Sequence, residues 1–397
     1  MSPNDATDSM PAPDPDARAH SERLRDRIRT EINSSGGLIP FSRYMELALY
    51  EPGLGYYAAA GGAALAGHSD FVTAPGLSPL FAQCVARQAV EVLTRTGGGE
   101  VLEPGPGSGV LAAGLLEEFE RLDCLPARYH LLERSAELAT RQREVIEDRV
   151  PHLLGRCQWQ SAWPDPFDGV VIANEVLDAF PVEGFRRTAN GVEQRCVAVE
   201  DDTFVDAWRP APDALVHAVG HIENDLGHAL PGDYISELQF DYSGWFAGLS
   251  GCLRRGALLL IDYGYVRSEY YLPERDRGTL VCTRAHRAHG DPYDWPGLTD
   301  LTAFVDFTAV TEAATAAGFD LEGFTPQAHF LMANGLEPIA QQALGQADEA
   351  GRLRIAQQIK TLTLPGEMGE RFNVIGFSRG LDAPLCGFSL NDRSHRL

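Results

Sequence analysis

Residues 101–111 read VLEPGPGSGVL. An apolar pair and a carboxylate, Glu103, lead into Gly105, Gly107 and Gly109 at alternate positions, and then into an apolar helical pattern. Glycines between a strand and a helix let the backbone pass close to a ligand and let the helix begin tightly. The stretch therefore predicts a strand–loop–helix unit of an α/β fold with a ligand at its turn.

The loop also says which ligand. The dinucleotide fingerprint G-x-G-x-x-G needs glycine at 110, where Val110 stands. A dinucleotide would set its pyrophosphate at the helix N-terminus, which favours negative charge, and Glu103 beside it would be repulsive. S-adenosylmethionine has no phosphate and carries a sulfonium and an ammonium group, so a carboxylate at the strand end becomes favourable. Glu103, Gly105, Pro106, Gly107 and Gly109 are the candidate cofactor loop. The next strand ends in Glu133, about 24 residues beyond Gly109, where an acidic side chain can accept from both ribose hydroxyls.

Outward from the loop, strands and helices alternate. Strands are expected at 100–103, 129–133, 157–160, 169–175 and 256–264, and late ones at HFLM (329–332) and NVIGFS (373–378). Helices are expected at 110–120, after Ser135 and at 305–319. This rhythm implies an α/β, Rossmann-like sheet, mostly parallel and wound on both faces. Residues 1–20 read as a disordered acidic tail and 21–95 as a helical region with a lid-like loop. Residues 96–180 and 256–397 read as the cofactor-binding core. Residues 181–255 break the rhythm with two strands around Asn190-Gly191 and two helical stretches, an inserted α+β subdomain on the substrate side.

Composition narrows the class. A formal net charge of −23 and a pI of 4.8 disfavour nucleic acid as a partner, and Lys360 is the single lysine. The acidic surface suits a cationic partner, or simply solubility or a salt-tolerant host. Seven scattered cysteines without a C-x-x-C pair fit a reducing compartment and argue against structural zinc. No apolar run approaches the ~18 residues of a membrane span. The opening residues carry Asp and Pro before Arg18, unlike a secretory or transit segment. The expectation is a cytoplasmic protein, with a homodimer as the base-rate assembly.

Several stretches in one order carry a resemblance: FSRYMELALYEPGLGYY, SDFVTAPGLSPLF, LEPGPGSG, LLERS, IANEVLDAFPVEGF, LIDYG, PGLTDLTAFVDF and MGERFNVIGFS. Over roughly residues 25–380 the chain resembles the MidA family of S-adenosylmethionine-dependent methyltransferases. Mitochondrial members are linked to respiratory complex I assembly and act as protein arginine methyltransferases. The resemblance implies a class I methyltransferase core with N-terminal and inserted elements, and a protein arginine as acceptor, with symmetric dimethylation of a complex I subunit as its finest form. Family members commonly have Glu after TAP, where this chain has Gly76, and often a basic residue where it has Ser108.

With that resemblance, ANEVLDAFP supplies the acceptor candidates. Asn174 and Glu175 fall at the C-terminal edge of the fourth strand, where ligands bind in open α/β sheets, and Asp178 follows three residues on. Carboxylates can grip a guanidinium bidentately and leave one nitrogen aimed at the methyl group. Glu175 and Asp178 are assigned to guanidinium or cofactor contacts, and Asn174 to orientation. Thr73 and Pro75, with Asp70, lie in SDFVTAP, a lid or wall over the cofactor on the family reading and an Asx-type turn otherwise. Asp262 in LIDYG ends the fifth strand, as an acceptor-facing group or a cap. His286, His289 and Asp291 match no strong zinc spacing and read as a substrate-facing loop; no metal is expected. Asp300 reads as an N-terminal helix residue. The remaining readings are a small-molecule methyltransferase, a non-catalytic assembly factor that keeps the fold, and, most distant, a nicotinamide-dependent oxidoreductase.

Overall fold

The computed structural model describes residues 12–59 and 74–397. The first helix, α1 (Pro15–Ser34), starts inside the stretch expected as a tail. Asp14 accepts from the Ala17 N–H and Pro15 fills the first turn, a start signal that the acidic composition masks. Leu24, Ile28 and Ile32 form its buried stripe. Next come β1 (Leu38–Pro40), α2 (Phe41–Tyr50), the short α3 (Ala74–Leu77) and α4 (Pro79–Thr96). Gly97 in the left-handed conformation closes α4.

The core then runs β2 (Glu100–Pro104), α5 (Val110–Arg121), β3 (Tyr129–Leu132), α6 (Ala136–Arg149), β4 (Cys157–Gln160) and β5 (Phe167–Asn174). The interruption contains β6 (Glu183–Thr188), β7 (Gly191–Glu200), β8 (Thr203–Pro210), α7 (Asp213–Leu226) and β9 (Tyr234–Leu238). After α8 (Tyr242–Cys252) the core resumes with β10 (Leu253–Tyr265) and α9 (Arg267–Tyr270). Then follow β11 (Val281–Arg284), β12 (Arg287–His289), β13 (Asp300–Thr302), β14 (Val305–Asp306) and α10 (Phe307–Ala316). The chain ends through β15 (Asp320–Pro326), α11 (Gln327–Ala333), α12 (Leu336–Gln346), α13 (Glu349–Thr363), α14 (Met368–Arg371) and β16 (Phe372–Arg379).

Seven strands of the main sheet lie in the order β4–β3–β2–β5–β10–β16–β15. Those from β4 to β10 are parallel, and β16 runs antiparallel to both its neighbours. This is the class I methyltransferase arrangement. Both faces are covered, so the central strands are apolar without alternation. Val170, Ile172, Leu259 and Ile261 face one core with α4 and α5, while Val171, Ala173, Leu258 and Leu260 face another with α8 and α10. Strand order reverses between β2 and β5, so the strands' C-terminal ends open a crevice there. A second sheet joins β6, β7, β8 and β9 to β1 of the N-terminal region. A common apolar cluster packs α1 and α2 against it and against β11 and β13.

Two expectations are corrected. HFLM is not a strand: it lies within α11, which buries Phe330 and Leu331 and leaves Met332 50% exposed. Four apolar residues carry no period, and packing against the C-terminal helices decides. Asp300 does not begin a helix either. It opens β13, and the cap of α10 is Asp306, whose side chain accepts from the Thr308 and Ala309 N–H groups. TDLT and VDFT both offer a capping aspartate, and Asp300 is drawn instead into pairing with β11.

Candidate active site

The glycine loop leaves β2 and enters α5 in three left-handed steps, with φ of 62° at Gly105, 54° at Gly107 and 82° at Gly109. A side chain at Gly109 is excluded twice, by its φ and because a Cβ would stand 2.9 Å from Gln142 Cα. Nothing lies within 4 Å of a Cβ built on Gly107, so the loop is open on that side. Pro106 fills the step between Gly105 and Gly107. Gln142 on α6 braces the arrangement. Its amide donates to the Gly107 carbonyl at 2.9 Å and to Glu133 Oε2 at 3.0 Å, and accepts from Trp159 Nε1 at 3.0 Å. Glu133 Oε1 also accepts from the Ser135 N–H at 2.7 Å. The side chain predicted to read a ribose is thereby fixed next to the loop, and burial pushes its pKa upward.

Glu103 sits beneath the loop at 2% exposure, accepting from the Tyr129 hydroxyl at 2.5 Å. Desolvation raises its pKa to about 8, against the opposing effect of that hydrogen bond. A carboxylate so short of donors would gain from a cation brought close to it, which is what the sequence argument expects of a sulfonium and ammonium ligand.

Across the switch point, β5 ends in the acceptor candidates. Glu175 has φ of 53°, a left-handed geometry that costs a non-glycine residue roughly 1 kcal/mol. It is held there by its N–H, which donates to the Ile261 carbonyl at 2.9 Å. Its Oε1 accepts from Asn174 Nδ2 at 3.0 Å. Burial, and then the neighbouring Asp178, raise the Glu175 pKa to about 8. Asp178 is 6% exposed, and burial raises it to about 6. Asn174 Oδ1 is buried without a hydrogen-bond partner among the described residues, whereas the buried Asp178 carboxylate and Tyr263 hydroxyl face one another, a contact that opposes the rise in the Asp178 pKa. A buried acceptor such as Asn174 Oδ1 wants a partner. With the open glycine loop and Glu133 alongside, it fits a ligand that brings a polar or cationic group.

Asp262 resolves as a positioning group. Its Oδ2 accepts from the Leu177 and Asp178 N–H groups at 3.0 and 3.3 Å, and its Oδ1 from the Tyr263 N–H at 2.9 Å. It fixes the turn that presents Asp178. Asp300, read as a helix residue, instead joins the site: it is 3% exposed, accepts from the Tyr57 hydroxyl at 2.9 Å and raises the pKa of Glu175. Tyr57 stacks on Tyr50 with ring centroids 5.6 Å apart, and Tyr50 donates to the Ala179 carbonyl at 2.8 Å. These aromatic rings come from the stretch EPGLGYY and the end of α2. Spacing alone gave no sign of them, because β13 and α2 meet the β5 turn only through tertiary packing.

Thr73 and Asp70 lie outside the described residues. Pro75 is in α3, which rests against α4 and α5 near the loop. His286 occupies the tight turn between β11 and β12, with φ of 62°. His289 Nδ1 meets the Asp291 N–H at 3.3 Å, and Asp291 Oδ1 accepts from the Tyr293 N–H at 2.9 Å. The stretch is a hairpin with an Asx turn.

Fold and site together define a class I methyltransferase, and comparison with known proteins agrees. A family model described as "Putative S-adenosyl-L-methionine-dependent methyltransferase" matches residues 84–325, and the chain belongs to that family. A Burkholderia thailandensis structure bound to S-adenosyl-homocysteine is 43% identical, covers 98% of this chain and 100% of its own, and superposes with a TM-score of 0.91. Protein arginine methyltransferase NDUFAF7 of Danio rerio is 27% identical, over 85% of this chain and 82% of its own. Its Drosophila melanogaster homologue is also 27% identical, over 96% and 92%. The protein is an S-adenosylmethionine-dependent methyltransferase whose cofactor is S-adenosylmethionine.

Removing the Glu133 carboxylate tests the cofactor assignment directly. Glu133→Ala is expected to weaken S-adenosylhomocysteine binding by about 10- to 100-fold, the loss of one or two charge-assisted hydrogen bonds. Titration calorimetry reads it, and unchanged affinity would remove Glu133 from the cofactor site.

Proposed function

We propose that the acceptor is a guanidinium nitrogen of an arginine in a protein substrate. The observation that carries this reading is the meeting of Glu175, Asp178 and Asp300 beside the cofactor crevice, flanked by Tyr50 and Tyr57. A planar cation is what such a set recognises: carboxylates pair with it bidentately and aromatic faces stack on it. The cofactor supplies an electrophilic methyl group. The chain's own part is to bind and orient the guanidinium, to keep water away, and to take up the proton that the methylated nitrogen releases. An arginine pKa above ~12 makes prior deprotonation costly, so the proton leaves as the methyl is transferred, and a carboxylate with a raised pKa is suited to receive it. Relatives named as protein arginine methyltransferases support the reading.

In finer detail, on the resemblance, the substrate is a subunit of respiratory complex I and the product symmetric dimethylarginine. The proposed setting is the cytoplasm, the assembly a homodimer, and residues 181–255 the substrate-side subdomain. The experiment is to incubate the protein with cell extract and S-adenosylmethionine carrying a tritiated methyl, then hydrolyse the labelled protein. Label in methylarginines is expected. Label in another amino acid, or only in a small molecule, would replace this reading with a different acceptor.

A further inference from the structure

Between the inserted sheet and the core lies a second cavity of about 370 Å³, distinct from the glycine-loop crevice. Its walls include Leu177, Val182, Leu238, Tyr242 and Ala313, and Phe240 lines it while remaining 45% exposed. A large exposed aromatic ring at the edge of an apolar hollow marks a surface that expects contact. The volume accommodates one bulky side chain, and clefts between two structural units are favoured places for binding.

Its polar wall is already satisfied. Arg267, 3% exposed, is held by Glu312 at 2.7 Å and by Asp306 and Asp225 at 3.3 Å each. His221 meets Glu312 at 3.0 Å. Three carboxylates around one guanidinium leave this side net negative, which suits a cationic partner on an already acidic chain. The same pairing leaves few convergent free polar groups to orient a small ligand. A side chain tethered to a polypeptide needs none, because the chain orients it.

The cavity also borders the acceptor site. Leu177 lines it, and the next residue is Asp178. Ala303 lines it too, and its N–H donates to the Asp178 carbonyl at 3.0 Å. We infer that this cavity seats a bulky aliphatic or aromatic side chain of the substrate polypeptide, close in sequence to the methylated arginine. An extended chain advances about 3.3 Å per residue, so positions up to about four residues either side of the arginine, roughly 13 Å, are the ones to survey. The inference rests on the arginine reading and adds the feature that selects which arginine is modified.

The test uses alanine-rich peptides with one central arginine and a single Leu, Phe or Trp at each position up to about four residues away. Initial rates are compared for the wild type and for Ala313→Phe, which fills the cavity from α10. Ala309→Leu is the second variant, and S-adenosylhomocysteine affinity equal to wild type certifies the fold of each. In the wild type, one apolar position is expected to lower KM about tenfold relative to the alanine parent, equivalent to about 1.4 kcal/mol. In the filled variants that advantage disappears, with kcat on the parent unchanged. An advantage that survives filling, or a wild type that methylates all peptides equally, overturns the cavity inference and leaves the arginine reading standing. A wild type that labels no peptide while labelling another residue in extract proteins overturns both.

Discussion

Glutamine in place of Glu175 is expected to lower kcat/KM by about 10²-fold or more while leaving S-adenosylhomocysteine affinity within about threefold. The side chain keeps its shape and its contact with Asn174 but loses the charge that holds a guanidinium. A partner removed from a largely desolvated ion pair costs about 3–5 kcal/mol. Glycine at the same position separates stability from activity. Because Glu175 holds φ of 53° without being a glycine, Glu175→Gly relieves roughly 1 kcal/mol of backbone strain. The variant should melt no lower than the wild type while being at least as inactive as the glutamine variant. Strain retained at an active residue is ordinary; strain retained for nothing is not. If Glu175→Gly kept full activity, Glu175 would be a turn residue and the acceptor site would have to be rebuilt around Asp178 and Asp300.

What the sequence makes legible here is what is local. Glu103, the three glycines and Val110 fall within eight residues, so their chemistry can be read in one glance at strand, loop and helix. The strands of the core are equally plain, because burial on both faces leaves uninterrupted apolar runs such as GVVIA and ALLLI. The tertiary half of the site is not. Asp300 and Tyr57 are 243 positions apart and share a hydrogen bond, and Asp262 reaches back 85 residues to the Leu177 N–H. Nothing in TDLT distinguishes a buried site carboxylate from a cap; only its pairing with β11 does. Gln142 was likewise invisible. It lies on an ordinary amphipathic helix, and its role as the brace between Gly107 and Glu133 exists only once α6 has packed beside the loop. The misread HFLM shows the same limit from the other side, since its helix is imposed by what packs on Phe330 and Leu331.

The second large effect is a pair of opposite pH slopes. Glu175 and Asp178 have pKa values raised to about 8 and about 6 by burial. The arginine acceptor stays cationic throughout, so productive binding needs these carboxylates ionised. kcat/KM, which reports groups of the free enzyme, should therefore climb from about pH 6 and level off above about pH 8. Stability should move the other way. A carboxyl group whose folded pKa lies above its unfolded value contributes stability that is complete below the ordinary carboxylate range. That contribution is lost as pH rises through the folded pKa. Glu103, raised to about 8 and 2% exposed, is the cleanest case. The ligand-free protein should lose stability, on the order of a few kcal/mol, between about pH 5 and about pH 8. Glu103→Gln should flatten much of that slope, and the difference between the two melting curves isolates the one group from every other titration. S-adenosylhomocysteine, whose ammonium favours the ionised carboxylate, should protect the wild type most at the alkaline end. It should also bind with proton release, seen as calorimetric heats that depend on the buffer. A slope unchanged in Glu103→Gln would mean that Glu103 is already ionised in the free protein. The preference for a cationic cofactor would then have to come from somewhere other than its burial.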